Sequence, residues 1–364
     1  MPIAPTREQL EAWHFAVDSP QRIKKIVGSA GVGKSFLIDR IAQRLPNCKV
    51  MAPTGKAVQN LREKGIRDVC TIHSGLKKCE LVEVRDALGK VHRVPRWKPK
   101  TDREVPWDTL IFDEGSQISR QLLADILAYD RDVILVGDNG QLEPVGDPDF
   151  DALADPDITL TQPHRFSGEI AHFAHHIREG NPARDWLRRD HCTGDAVRFV
   201  EMDALDDLLA NEPHPDQLIC AFNRSRVLAN EFFRQSYGYP SDAPVVGDRI
   251  MCLQNDANRG LYNGMQGVIA GICGDELVFQ NDELMVPVRF LPAQFNNPDR
   301  PQFARSRKAA LPFDYSYAIT AHKAQGSEWD RVLVLEQVCA GWSHTRWSYT
   351  AATRAKKQLI WVPA

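Results

Sequence analysis

At 364 residues the chain has room for two core-sized domains with small insertions. Charged residues make up 26% and hydrophobic residues 43%, a balance that excludes a disordered chain and fits a soluble globular one. The net charge of −3 argues against indiscriminate nucleic-acid binding, and the eight cysteines form no CxxC pair, which favours free thiols in a reducing cytosol over a zinc ribbon or disulfide framework.

The N-terminal MPIAPTREQL lacks the charged-then-apolar pattern of a signal peptide, and the longest apolar runs, such as Val133 to Val136, are too short to span a bilayer. A cytoplasmic location, in a bacterium or a phage-infected host, is therefore expected. Thr6-x-x-Gln9 has the form of a helix capping box. Beyond it, short apolar runs predict strands at Ile23 to Val27, Lys49 to Ala52, Thr109 to Phe112, Val133 to Val136 and Ile158 to Leu160. Helical patterns separate them, as with Phe36, Leu37, Ile41 and Leu45. This alternation predicts an α/β fold with a parallel sheet covered on both faces.

Lys77 to Trp107 breaks the rhythm. Two strands around Ala87-Leu88-Gly89-Lys90 predict an inserted hairpin that pairs Glu80 to Asp86 with Val91 to Trp97. Eight Lys or Arg stand between Lys77 and Lys100 against three acids, so the hairpin is basic. A second αβ lobe is expected from about Phe166, with strands at Leu218 to Ala221, Tyr317 to Thr320, Val332 to Leu335 and Leu359 to Val362. Within it, residues 246–312 are rich in Val, Gly, Asn and Pro, with turns at Asn263-Gly264 and Gly274-Asp275, and predict a small β-barrel. His172 and His176 share a helix face at i, i+4, but they lack the further ligands of a zinc site and read as surface or packing histidines.

Ligands in parallel sheets bind beyond the carboxyl ends of the strands, and the chemistry-bearing strings fall there. Gly28-Ser-Ala30-Gly31-Val32-Gly33-Lys34-Ser35 fits GxxxxGK[ST] between a strand and a helix. Its glycines let backbone N–H groups fold around phosphate oxygens. Lys34 is placed for the β- and γ-phosphates of ATP and the Ser35 hydroxyl for Mg²⁺. Asp113-Glu114 ends the run Leu110-Ile111-Phe112: Asp113 is assigned to the metal and Glu114 to the attacking water. Gly137-Asp138-Asn139-Gly140-Gln141 ends the next strand, where Gln141 can report loss of the γ-phosphate.

These strings and those that follow resemble superfamily 1 helicases, in the 1B branch that holds the RecD-type enzymes and the phage helicase Dda. The likeness runs from Gln9 to about Val362. It implies two RecA-like lobes: 1–165 with a hairpin insert at 77–107, and 166–364 with an SH3-like barrel at about 246–312. Gln9 matches the adenine-reading glutamine, although its capping-box role stands beside that. MAPTGKAVQNL with TIHSGL is similar to the first DNA-contacting segments and implies Pro53, Thr54, Lys56 and His73 as contacts. LTQPHRF implies Arg165 as a γ-phosphate contact. GDRIMCLQNDANRGLYNGMQGVI is similar to the entry of the small barrel and implies Asn263. AHKAQGSEWDRV and YTAATRAKK resemble the fifth and sixth motifs. They imply Thr320 and His322 on the DNA track, Gln325, Gly326 and Glu328 at the nucleotide, and Arg354 as an arginine finger; Lys323 is open to either site.

The resemblance implies an ATP- and Mg²⁺-dependent DNA helicase moving 5′ to 3′ on single-stranded DNA and forked duplex. It would be monomeric, with replication or repair proteins as partners. The lack of a domain before Gln9 matches the free-standing phage form. A related motor on RNA or of opposite polarity, and an ATP-regulated single-strand clamp or loader, are the competing readings. A lobe carrying Arg354 favours a motor. The hairpin is expected to be the strand-separating pin, with Leu88 meeting the terminal base pair, as against a hairpin that only packs on the first lobe.

Overall fold

The computed structural model describes residues 5–85, 91–144, 146–147, 149–162, 168–188, 195–239, 243–256, 259–281, 284, 287–290, 295 and 313–364, with backbone alone over 79–85 and 91–97. The chain forms two compact units. The first holds 1–139 and 143–165. The second holds 140–142 and 166–364.

The first unit is built on a six-stranded sheet, parallel throughout. Its spatial order is Val69–Thr71, Cys48–Ala52, Thr109–Phe112, Asp132–Gly137, Ile23–Gly28, Ile158–Leu160. The central strands are buried on both faces, which is why they read as continuous apolar runs. Helix Lys34–Arg44 buries Leu37, Ile38 and Ile41, one face of a 3.6-residue repeat, in the core beside Ile26, Ile111 and Ile134. Helix Arg7–Asp18 begins at the expected capping box: Thr6 Oγ1 accepts from Gln9 N and Gln9 Oε1 accepts from Thr6 N.

Strands Lys77–Arg85 and Val91–Pro99 form an antiparallel pair. Their register differs by one residue from the expected pairing: Arg85 lies opposite Val91, and Glu80 and Glu83 lie opposite Arg96 and Arg93. The expected register would have set Glu80 against Trp97 and Glu83 against Val94. The observed one opposes residues of unlike charge, the more favourable cross-strand pairing. It leaves 86–90, including Leu88, as the connection, and these lie outside the described residues.

The second unit has its own parallel sheet, ordered Ala318–Thr320, Gln217–Cys220, Trp329–Leu335, Ala355–Val362, Val197–Phe199. A further five-stranded antiparallel sheet runs Val288–Phe290, Glu276–Gln280, Gln266–Cys273, Arg249–Cys252, Phe313–Tyr315. Its last strand lies beyond residue 312, where the insert was expected to end, because Phe313–Tyr315 pairs with Arg249–Cys252 rather than with the parallel sheet. Helix Asn223–Ser236 fastens the two sheets with a buried polar stripe at four-residue spacing. Arg226 Nη1 donates to Asp314 at 2.6 Å. Asn230 Oδ1 accepts from Ala318 N at 2.8 Å. Arg234 donates to both carboxylate oxygens of Asp248, at 2.9 and 3.1 Å. Among the described residues no helix is long and apolar enough to cross a membrane.

Candidate nucleotide and nucleic-acid sites

In the first unit three adjacent parallel strands deliver the phosphate-loop, acidic and Gly137 segments to one sheet edge: Ile23–Gly28, Asp132–Gly137 and Thr109–Phe112. The phosphate loop turns on Gly31 and Gly33, at φ +81° and +86°, a region that side chains rarely adopt. Gly33 caps helix Lys34–Arg44 with no side-chain partner, so the first N–H groups stay directed at the loop. Lys34 Nζ donates to the carbonyls of Gly28 and Ser29 at 2.8 and 2.9 Å, folded back over the loop's own backbone. Gln9 Nε2 donates to Val32 O at 2.9 Å, so the capping glutamine also braces the loop. Ala30 is among the loop's half-buried positions.

Asp113 is buried, and burial raises its carboxyl above the usual range, opposed by the Glu114 N–H and the Lys34 and Lys64 ammoniums. Glu114 is held at φ +52°, an uncommon left-handed conformation for a glutamate and one that costs energy. A Cβ on Gly137 would stand 2.8 Å from Gly115 N and one on Gly115 would stand 2.9 Å from Leu153, so the acidic segment is pressed onto the neighbouring strand end. Lys64, at the end of helix Gly55–Glu63, donates to Ser35 Oγ at 3.1 Å. Sequence reading missed it, because a lone lysine twenty-nine residues downstream carries no motif signal. The Ser35 hydroxyl and the Asp113 carboxylate are hard oxygen donors at this edge, the ligand type that suits Mg²⁺.

The remaining first-unit candidates stand at or beside two helix starts. Thr54 Oγ1 accepts from Ala57 N and caps helix Gly55–Glu63, with Pro53 before it and Lys56 in its first turn. His73 lies in the short helix Ile72–Leu76; desolvation and the Lys77 ammonium lower its pKa. Arg165 lies outside the described residues.

Gln141 belongs to the second unit, although its string follows a first-unit strand. Leu142 N donates to Thr350 Oγ1 at 2.9 Å and Gln325 Nε2 donates to Leu142 O at 3.2 Å, which ties this segment to the fifth and sixth motif strings. Gln141 is buried, and its Oε1 has no hydrogen-bond partner among the described residues. Gly326 turns the chain at φ +74° before the exposed Glu328. Arg354 is 4% exposed. Its Nε donates to Thr350 O at 2.9 Å, Nη1 to Ser327 O at 3.2 Å and Nη2 to Thr353 Oγ1 at 2.9 Å.

Thr320 precedes the short helix Ala321–Ala324 that bears His322 and Lys323. Lys323 Nζ donates to Asn263 Oδ1 at 2.7 Å, so the two strings expected on the second-lobe track meet in space. Burial lowers the pKa of His322, which keeps the ring neutral near pH 7. His176 is a packing residue: it is buried, with Nε2 2.9 Å from Pro182 O, whereas His172 is exposed.

A phosphate loop and an acidic strand end on one edge of a parallel sheet define a P-loop nucleotide-binding fold. A family model described as AAA domain matches residues 4–195, more than half of the chain, and one described as UvrD-like helicase C-terminal domain matches 315–362. The ATP-dependent RecD2 DNA helicase of Deinococcus radiodurans is 27% identical over 375 residues, covering 93% of this chain and 46% of that protein. A solved Pif1 helicase structure concerned with unwinding at forked double-stranded DNA aligns with TM-score 0.66 at 20% identity, over 99% of this chain and 92% of that one. Pif1 helicase from Bacteroides in complex with ADP-AlF3 and single-stranded DNA aligns with TM-score 0.63 at 18% identity and the same coverage. The chain belongs to the AAA domain family and is similar to helicases of the RecD and Pif1 type. It spans less than half the length of the Deinococcus relative.

Proposed function

We propose that the chain is an ATP-driven DNA motor that moves 5′ to 3′ on single-stranded DNA and opens duplex at a fork. The observation that carries this reading is the first unit's nucleotide edge: left-handed glycines at a helix start, Lys34 at the loop, and a buried Asp113 beside a strained Glu114. The Bacteroides structure, with ADP-AlF3 and single-stranded DNA together, supports pairing that edge with a DNA track, and the polarity rests on the family.

In this reading the lobes are 1–165 and 166–364. The pair Lys77–Arg85 and Val91–Pro99 is the fork hairpin, and the antiparallel sheet is the SH3-like barrel. Lys34 leaves its backbone carbonyls for the β- and γ-phosphates. Gln9 keeps the loop braced and offers its amide edge to adenine. Ser35 and Asp113 hold Mg²⁺, which when bound neutralises phosphate charge. Glu114 takes the proton of the attacking water. Gln141, Arg165 and Arg354 address the γ-phosphate, and Gln325, Gly326 and Glu328 line the nucleotide from the second lobe. Pro53, Thr54, Lys56 and His73 on one lobe, and Asn263, Thr320 and His322 on the other, grip the strand through its backbone. Such contacts make binding independent of sequence and dependent on salt.

ATP hydrolysis followed with and without oligo-dT tests the reading. Strong stimulation by the strand is expected. A rate indifferent to DNA would reject it.

A further inference from the structure

Three neighbouring strands of the second unit's parallel sheet, Ala318–Thr320, Gln217–Cys220 and Trp329–Leu335, are each followed by chain that carries an aromatic ring: His322, Phe222 and Trp342. The rings meet. Phe222 and Trp342 stack with planes 25° apart and centroids 6.3 Å apart, and His322 packs on Trp342 at 5.1 Å. Phe222 is 38% exposed, so the cluster reaches the surface.

The exposed ring is also held in place. Gln337 Oε1 accepts from the N–H groups of Ala221 and Phe222, at 2.9 and 3.4 Å, and Gln337 Nε2 donates to Ser225 Oγ at 2.6 Å. Trp342 leans on the core around Trp347. Its Nε1 is buried without a hydrogen-bond partner among the described residues, so the exposed part of that ring is carbon. Arg224 is exposed in the first turn of helix Asn223–Ser236, which Phe222 directly precedes. Aromatic carbon beyond the carboxyl ends of parallel strands, with a cation two residues along the chain from Phe222, suits a flat aromatic ligand attached to phosphate.

We propose that Phe222, Trp342 and His322 form a stacking platform for a nucleobase of the bound single strand. This rests on the DNA-motor reading and deepens it. A base seated on a rigid ring adds a second, independent anchor to the backbone contacts. Stacking tolerates every base, so the platform adds grip without adding sequence preference.

Anisotropy titration of labelled dT16, and of a sixteen-nucleotide strand abasic throughout, separates base from backbone contributions. Trp342→Ala and Phe222→Ala should each weaken dT16 binding by about fivefold to about a hundredfold. The abasic strand should be nearly unaffected, and the log–log salt slope should stay unchanged, because no phosphate contact is lost. Trp342→Phe should recover most of the affinity. Phe222→Ala, at the surface, keeps the test alive should Trp342→Ala melt early. Undiminished dT16 binding, or an equal loss on both strands, overturns the platform. So does a raised KM for ATP with DNA binding intact, which would assign the rings to adenine. Wild-type protein that binds neither strand would sink the motor reading and the platform with it.

Discussion

Replacing Arg354 by alanine separates catalysis from stability in a way the structure makes quantitative. The guanidinium is buried and donates three hydrogen bonds, all to neutral acceptors among the described residues. Bonds from a charged donor contribute about 1.5–3 kcal/mol each, so the three give roughly 4.5–9 kcal/mol. Burying a guanidinium with no carboxylate partner among the described residues costs several kcal/mol in return. The two partly cancel, and truncation leaves buried acceptors without this donor, so Arg354→Ala should cost about 2–4 kcal/mol, roughly 4–16 °C in Tm for a unit of this size, and stay folded at room temperature. Hydrolysis should behave otherwise. Loss of a transition-state charge contact costs on the order of a thousandfold or more in rate. Arg354→Lys should not recover it, because an ammonium cannot reproduce the planar fork that reaches all three acceptors. Thermal melts alongside DNA-stimulated ATPase measure both effects. A variant that hydrolyses ATP at the normal rate, or one whose lost rate is matched by a collapse in Tm, would refute the reasoning.

Lys34→Ala should lose nucleotide affinity in equilibrium binding, whereas Glu114→Gln should bind normally and turn over at a small fraction of the wild-type rate. Lys64→Met removes the ammonium from Ser35 Oγ, so Mg²⁺-dependent ADP binding, read by calorimetry, should tighten severalfold; weaker binding would mean Lys64 helps hold the nucleotide instead. Arg234→Ala strands the Asp248 carboxylate in the interior and should cost about 3–5 kcal/mol in urea unfolding, against little change if water reaches the site. Replacing Glu80 to Arg96 by a Gly-Ser turn should preserve DNA-stimulated ATPase and abolish unwinding; unwinding at the normal rate would leave the hairpin a packing element.

What could be read from the sequence was whatever is contiguous along it. The strands Thr109–Phe112 and Ile158–Leu160 stand where their apolar runs placed them, and Gly31 and Gly33 adopt the conformations the phosphate-loop string requires. The short edge strands Val69–Thr71 and Val197–Phe199 were missed, since three residues carry no period. The hairpin was found but set one residue out of register, because the cross-strand pairing of Glu80 and Glu83 with Arg96 and Arg93 was not weighed. Contacts between distant segments could not be read at all. Lys64 on Ser35, Leu142 on Thr350 and Gln337 beneath Phe222 join residues 29, 208 and 115 positions apart. The Arg226, Asn230 and Arg234 stripe reads as a polar helix face, and only its acidic and backbone partners make it interior.

Strand displacement on duplexes carrying either a 5′ or a 3′ single-stranded tail, with ATP supplied, tests the central claim most directly. The account predicts ATP-dependent opening of the 5′-tailed DNA duplex, little opening of the 3′-tailed or blunt one, and loss of the activity in Glu114→Gln. Opening of the 3′-tailed substrate alone would reverse the polarity, and opening confined to RNA duplexes would change the substrate. DNA-stimulated hydrolysis with no displacement of any duplex would contradict the helicase and leave a clamp.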